Sequence, residues 1–420
     1  MINSARLVTA LTYNEGRFPP MSGFLDTLNS IIWSPALVFL CLGAGIYFTL
    51  ATKFLQIRCI PDMIKQLKDG ESSESGVSSF QSLMISLAGR VGVGNISGVA
   101  TAIAFGGPGA VFWMWAVALL GSATSFVECT LAQVYKEKDQ DTGEYRGGPA
   151  YYIEKAYKHT KAGPFMVVYG IVFAIAMILA TSYFLPAIQA NGVAAAVDNA
   201  WGISVGWSAV VLAGVLAVII VGGIKRIANF ASLVVPFMAG AYILFAIIIL
   251  FVNFSQIPEV FGMIFKSAFG AEQAFSGLLG SAIMWGVKRG IYSNEAGQGT
   301  GPQSAAAAEV SHPAKQGFVQ SFAVYIDTIF VCSATAFIII STDMYKVFEN
   351  ESEDGAVRYA GAIPDDVPVG PGYVQNGLDT LLAGFGPTFI AIAIAFFAFT
   401  TVLAYYYMAE VNLTYFNRWI

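Results

Sequence analysis

Residues 86–109, SLAGRVGVGNISGVATAIAFGGPG, set an arginine and an asparagine among four glycines, Gly89, Gly92, Gly94 and Gly98, inside an otherwise apolar run. Glycine disfavours a helix interior by about 1 kcal/mol relative to alanine, so Gly92, Gly94 and Gly98 mark a point where a helix is built to open. Opening frees main-chain N–H and C=O groups. In hydrocarbon such groups persist only where protein packs around them or a wet cavity reaches them. Freed N–H groups at a half-helix N-terminus suit a carboxylate, and freed carbonyls at a C-terminus suit a cation. A small zwitterionic amino acid moved together with a cation matches both ends.

A second tract of the same kind runs over 277–303, GLLGSAIMWGVKRGIYSNEAGQGTGPQ, with Gly277, Gly280, Gly286, Gly290, Gly297, Gly299 and Gly301. Small residues also let membrane helices pack closely, which explains either tract taken singly. Two interrupted spans in corresponding positions of two halves point instead to the binding site of a transporter built from inverted repeats.

Ionisable residues inside spans are functional candidates by default. Arg90 stands about ten residues from the cytoplasmic end of its tract, roughly 15 Å deep at 1.5 Å per residue. Glu128 and Asp327 lie at comparable depth, and for each a structural ion pair or helix tie stands beside a gating role. Lys288, Arg289 and Glu295 cluster past the second break, where a cytoplasmic gate would stand. His159 and His312 fall in cytoplasmic loops and suggest neither a proton relay nor a metal site. The four cysteines are scattered packing residues without a disulfide or metal framework.

The elements that must position these residues are membrane helices. Of 420 residues, 56% are hydrophobic and 12% charged, against roughly 25% charged in a soluble domain. Nine apolar tracts are long enough to span a bilayer, near 34–54, 80–105, 109–135, 163–189, 206–223, 228–252, 272–297, 314–342 and 385–411. Loops on one side carry 14 of the 22 basic residues and loops on the other carry 5, Arg6, Arg17, Lys266, Lys346 and Arg358. The positive-inside rule therefore places the N-terminus outside a multi-pass cell-membrane protein. The chain divides into an external segment 1–33, an extra helix and cytoplasmic loop 34–79, a five-helix first repeat 80–252, and a second repeat 272–420 holding three helices. An acidic connection over 343–384 falls outside, and no cleavable leader is evident.

Other classes fare worse. Asn95-Ile96-Ser97 matches a glycosylation acceptor, and the glycines brush against a dinucleotide fingerprint, but both lie within a span and no strand precedes them. No nucleophile–base pair or H-E-x-x-H appears, so an intramembrane enzyme is not indicated. Nothing suggests the repeated ring of a channel or a nucleic-acid partner. A truncated, non-transporting amino-acid-binding protein or sensor is the alternative.

The stretches GRVGVGNISGVATAI, RGGPAYYIEKA and SNEAGQGTGPQSAAAAEVSHPAKQG resemble the alanine or glycine:cation symporter family, whose members are usually driven by sodium. The resemblance covers the chain from about residue 25. It implies an all-α, leucine-transporter-like inverted five-plus-five repeat preceded by one extra helix, and on that pattern the last two core helices are absent after Ile420. It further implies a substrate site at Gly92, Val93, Gly94 and Asn95, with Val93 and Gly94 offering N–H groups to the carboxylate. Ser281, Met284, Trp285 and Gly286 would line the pocket, the bulky pair limiting it to alanine or glycine. Sodium would be held by the carbonyls of Ala88 and Val91 and the hydroxyls of Thr400 and Thr401, with Asn95 serving the amine or a cation.

Overall fold

The computed structural model describes residues 34–67, 75–220, 223–272 and 275–417, except 276, 350, 351, 354 and 382. The expected external segment 1–33, with Arg6 and Arg17, lies outside the described residues, as do Lys68 and Arg418.

The described chain is helical almost throughout, because only a helix satisfies its own backbone in an apolar run. The first elements are α1 (Pro35–Ala51), α2 (Leu55–Arg58), α3 (Ile60–Gln66) and α4 (Ser79–Arg90). A π-helical turn, Gly94–Gly98, leads into α5 (Val99–Gly106) and then α6 (Gly109–Tyr135). A hairpin, β1 (Glu137–Lys138) with β2 (Tyr145–Arg146), precedes α7 (Pro149–Tyr157), α8 (Gly163–Leu179), α9 (Leu185–Trp201), α10 (Val205–Ile220) and α11 (Gly223–Val252). There follow α12 (Ile257–Ala268), α13 (Leu279–Asn294), α14 (Gly301–Ala306) and α15 (Pro313–Val324), a π-helical stretch Tyr325–Cys332, and α16 (Ser333–Ser341). The acidic connection folds as an antiparallel pair, β3 (Lys346–Phe348) with β4 (Val357–Ala360), and α17 (Pro371–Asp379) before α18 (Phe385–Asn417).

All nine expected tracts fall on helices, but not all are full-length spans. Among the described residues five helical runs are long and apolar enough to cross a membrane, Gly109–Tyr135, Gly163–Trp201, Ile224–Val252, Pro313–Ser341 and Phe385–Phe416. The pair Ser79–Arg90 and Gly94–Gly106, bent by 54°, makes a sixth. The helices α1, α10 and α13 are shorter, α13 because it ends at Asn294, at the second glycine cluster.

The core gathers α4, α5, α6, α11, α16 and α18 around buried Val91, Ile103, Met114, Tyr242, Ile339 and Phe397. Outside it, α1 lies against α6 so closely that a Cβ on Gly45 would stand 2.8 Å from Leu120 Cβ. At the β1–β2 end, Arg146 ties the hairpin to α18 through Glu410 at 2.6 Å, with Glu144 at 3.1 Å.

Candidate functional site

The helix α4 starts on a capping box, in which Ser78 Oγ accepts from Gln81 N–H at 3.2 Å and Gln81 Oε1 accepts from Ser78 N–H at 3.0 Å. It ends at Arg90, where Val91 turns out of the helix at φ −79°, ψ 87°. The hydroxyl of Thr401, from the middle of α18, approaches the carbonyls of Ala88 at 2.8 Å, Val91 at 3.3 Å and its own Phe397 at 2.8 Å. One hydroxyl proton serves one acceptor at a time, so these oxygens converge with more lone pairs than donors. A hard cation prefers such an all-oxygen cluster. Gly92 is required by proximity, since a Cβ there would stand 2.7 Å from Thr401 Oγ1 and 2.9 Å from Gln189 Oε1. Thr400 is turned away and donates to Phe396 O and Phe397 O along its own helix, so one of the two expected hydroxyls stands at the cluster.

Asn95, expected to serve the amine or a cation, has protein partners on both ends of its amide. Its Oδ1 accepts from Gly92 N–H at 2.8 Å, closing the unwound turn, and its Nδ2 donates to Asp327 Oδ1 at 2.6 Å. Asp327 Oδ2 accepts from Ser293 Oγ at 2.8 Å and Thr328 Oγ1 at 2.7 Å. The fully buried carboxylate thus ties the first break to α13 and to the π-helical stretch after α15. Val93 N–H, expected to face a substrate, donates to Gln189 Oε1 at 3.0 Å. The amide of Gln189 is buried on α9 and was not singled out from sequence, although an amide in an apolar run is a visible signal.

A cavity of about 280 Å³ opens beside this break, lined by Val93, Gly94, Ser97, Asn191, Arg289 and Tyr292 and reached by Val369–Pro371 of the long connection. Ser97 Oγ and Arg289 Nε are buried there without a hydrogen-bond partner among the described residues. None of Ser281, Met284, Trp285 and Gly286 lines it. Those four sit about two turns earlier on α13. The Trp285 ring lies 5.1 Å from that of Phe105, Met284 packs beside Val38 and Val117, and Gly286 admits Ala110 O so closely that a Cβ would stand 2.5 Å from it. The reason is that α13 runs unbroken through Gly286 and Gly290, whose missing side chains let it press against α6.

The second break falls later, over 295–300. Glu295 leaves α13 in the left-handed region at φ 56°, and Gly297 and Gly299 follow at φ 85° and 84°. Thr300 Oγ1 donates to Glu295 Oε2 at 2.9 Å, and Gly297 N–H donates to Glu128 Oε1 at 3.0 Å. The expected cluster of Lys288, Arg289 and Glu295 past this break is not formed: Lys288 and Arg289 precede it and flank the Trp285 ring at 5.4 and 5.1 Å. Arg90 bonds neutral oxygens, Gln320 O at 3.1 Å and Ser125 Oγ at 3.3 Å. Among the described residues it makes no contact ion pair with Glu128 or Asp327.

Comparison with known proteins gives these features a setting. The chain is 55% identical over 398 residues to YrbD of Bacillus subtilis, described by name only as a sodium/proton-dependent alanine carrier; the match covers 95% of this chain and 79% of that protein. It is 49% identical to the sodium/proton-dependent alanine carrier protein of Bacillus sp. PS3, over 85% of this chain and 77% of the relative. With the sodium/alanine symporter AgcS of Methanococcus maripaludis it shares 40% identity, over 92% and 82%. The model of the sodium:alanine symporter family matches residues 20–419, and this chain, a membrane protein with a span broken at Val91–Val93, belongs to that family.

Proposed function

We propose that this protein is a sodium-coupled symporter of small neutral amino acids such as alanine and glycine, working in the cell membrane by alternating access around the first break. The observation that carries this reading is the convergence of Ala88 O, Val91 O and Thr401 Oγ1 beside an open polar cavity. Sodium bound by those oxygens would hold α18 to the end of α4. In the adjacent cavity the substrate carboxylate meets Arg289 and the N–H groups of the Val93–Gly94 turn, and its amine meets Gln189 Oε1, displacing the Val93 N–H bond. Asn95 holds the turn from behind and links both ligands to Asp327.

In this reading residues 80–252 and 272–420 are related by inversion, with one extra helix before them and the N-terminus outside. The paired breaks support it, one at Val91–Val93 and one at 295–300. The names of the relatives, which pair sodium with alanine, agree.

The deciding experiment is uptake of labelled alanine into proteoliposomes holding the purified protein. Uptake is expected to follow an inward sodium gradient and to be competed by glycine. Unchanged uptake after collapse of the sodium gradient, with the proton gradient intact, overturns sodium coupling.

A further inference from the structure

A second cavity, of about 440 Å³, lies between α1 and α6 and ends at the second break. Leu37, Leu40, Ala44 and Phe48 form its apolar wall, and Glu128, Asn294 and Gly297 its polar floor. Glu128 is only 7% exposed, its Oε1 accepts the Gly297 N–H, and among the described residues it has no contact ion pair. Asn294 is fully buried and its Nδ2 has no hydrogen-bond partner among the described residues. A buried amide donor and a carboxylate face one cavity roomy enough to admit water between them. Water entering there would give the carboxylate a route for protons.

We propose that Glu128 is a proton-binding site that controls the link between α13 and α14. As a carboxylate it accepts the Gly297 N–H and holds the left-handed turn Glu295–Gly299 in place. When hydronium arriving through the cavity gives it one proton, an O–H bond forms on the carboxyl group, a water molecule is left behind, the negative charge is lost and the hydrogen bond from Gly297 N–H weakens. The link is then free to move with α13, whose Arg289, Tyr292 and Ser293 reach the first break. A proton shifts this equilibrium by as much as its affinity differs between the held and released links.

The groups facing Glu128 agree with this role. Arg90 reaches toward it from α4 without a contact ion pair among the described residues, donating to Gln320 O and Ser125 Oγ while its Nε has no hydrogen-bond partner there. Glu295 sits in the link itself, and its Oε2 is engaged by Thr300. Tyr152 of α7 and Cys41 of α1 line the cavity, and Cys129 is the neighbour on α6. The helix α15, packed along α6, contributes no residue to this cavity.

The inference rests on the symport reading above, and the test separates the two. Alanine uptake driven by a fixed sodium gradient is measured from mildly acidic to mildly alkaline medium. Wild type is expected to change its rate several-fold, and E128Q to vary by less than about twofold. Glutamine keeps an oxygen for the Gly297 N–H, so a purely structural carboxylate would leave the wild-type profile in place, and that result overturns the proposal. E128D retains a titrating group one methylene shorter and is expected to keep the pH dependence with a moved midpoint. If E128Q fails to fold, a wild-type midpoint in E128D overturns the proposal. Wild-type uptake that needs sodium but ignores pH overturns it while the symport reading stands, whereas no sodium-dependent uptake at any pH removes the symport reading itself.

Discussion

At the first break Gly92 lies outside the left-handed region, and its lack of a side chain leaves room for Thr401 Oγ1 and Gln189 Oε1, which a Cβ would meet at 2.7 and 2.9 Å. At the second break Gly297 and Gly299 sit at φ 85° and 84°, a region that costs a side-chain-bearing residue roughly 1–2 kcal/mol. One glycine makes space for ligand oxygens, and the other two shape a turn. The first break therefore exposes carbonyls and a cavity, while the second spends its N–H groups internally, on Glu128. On the proposed function, ligand chemistry concentrates at the first and mechanical linkage at the second.

The largest effect that bears on this contrast is expected from Gly299→Ala. The new Cβ would stand 2.7 Å from Pro149 Cγ and 2.8 Å from Phe173 Cζ, in addition to the left-handed backbone. Together strain and overpacking amount to about 2–5 kcal/mol. Thermal unfolding of the detergent-solubilised protein should drop by many degrees, whereas the sodium dependence of whatever folds should stay near wild type. A Gly299→Ala protein with normal stability would show that the second break does not depend on left-handed geometry.

Gly92→Ala should act in the opposite sense. Its backbone carries no left-handed strain, so stability should fall by about 1–3 kcal/mol at most. The methyl group, however, pushes Thr401 away from the Ala88 and Val91 carbonyls and Gln189 away from the Val93 N–H. The sodium concentration for half-maximal alanine uptake should therefore rise at least tenfold, equivalent to about 1.4 kcal/mol. Wild-type sodium dependence in this variant would dissolve the distinction between the two breaks.

Much of this was legible in the sequence. The tract 109–135 coincides with α6, and the tract 314–342 is met within a residue by Pro313–Ser341, because uninterrupted apolar runs leave a helix no competitor in hydrocarbon. The first break is equally readable, since a glycine cluster holding Arg90 and Asn95 is out of place in a span. The second was harder. Seven glycines look alike in sequence, yet Gly286 and Gly290 serve helix contact with α6 while Gly297 and Gly299 serve the turn. Sequence spacing carries no information on which use applies, and the expected pocket residues Ser281–Gly286 consequently fell two turns from the cavity. The partners of Asn95, Glu128 and Gln189 depend on long-range packing, which no local pattern encodes.

The smallest effects separate two adjacent threonines. Thr401→Val removes the hydroxyl that faces Ala88 O and Val91 O with little change of volume. A hydroxyl contact of this kind is worth about 1 kcal/mol, so the sodium requirement should rise about fivefold with side-chain preference unchanged. Thr400→Val removes a hydroxyl that, among the described residues, bonds Phe396 O and Phe397 O, with Met238 S at 3.8 Å, and those carbonyls belong to α18 itself. Its sodium dependence should stay within about twofold of wild type, as for a surface-like change in a helix that keeps its main-chain bonds. If both variants shift sodium equally, α18 must rotate on binding the ion so that Thr400 joins the cluster. If neither does, the oxygens around Val91 serve only to fasten α4 to α18, and the cation must be sought at Asp327, where three neutral donors surround a buried carboxylate.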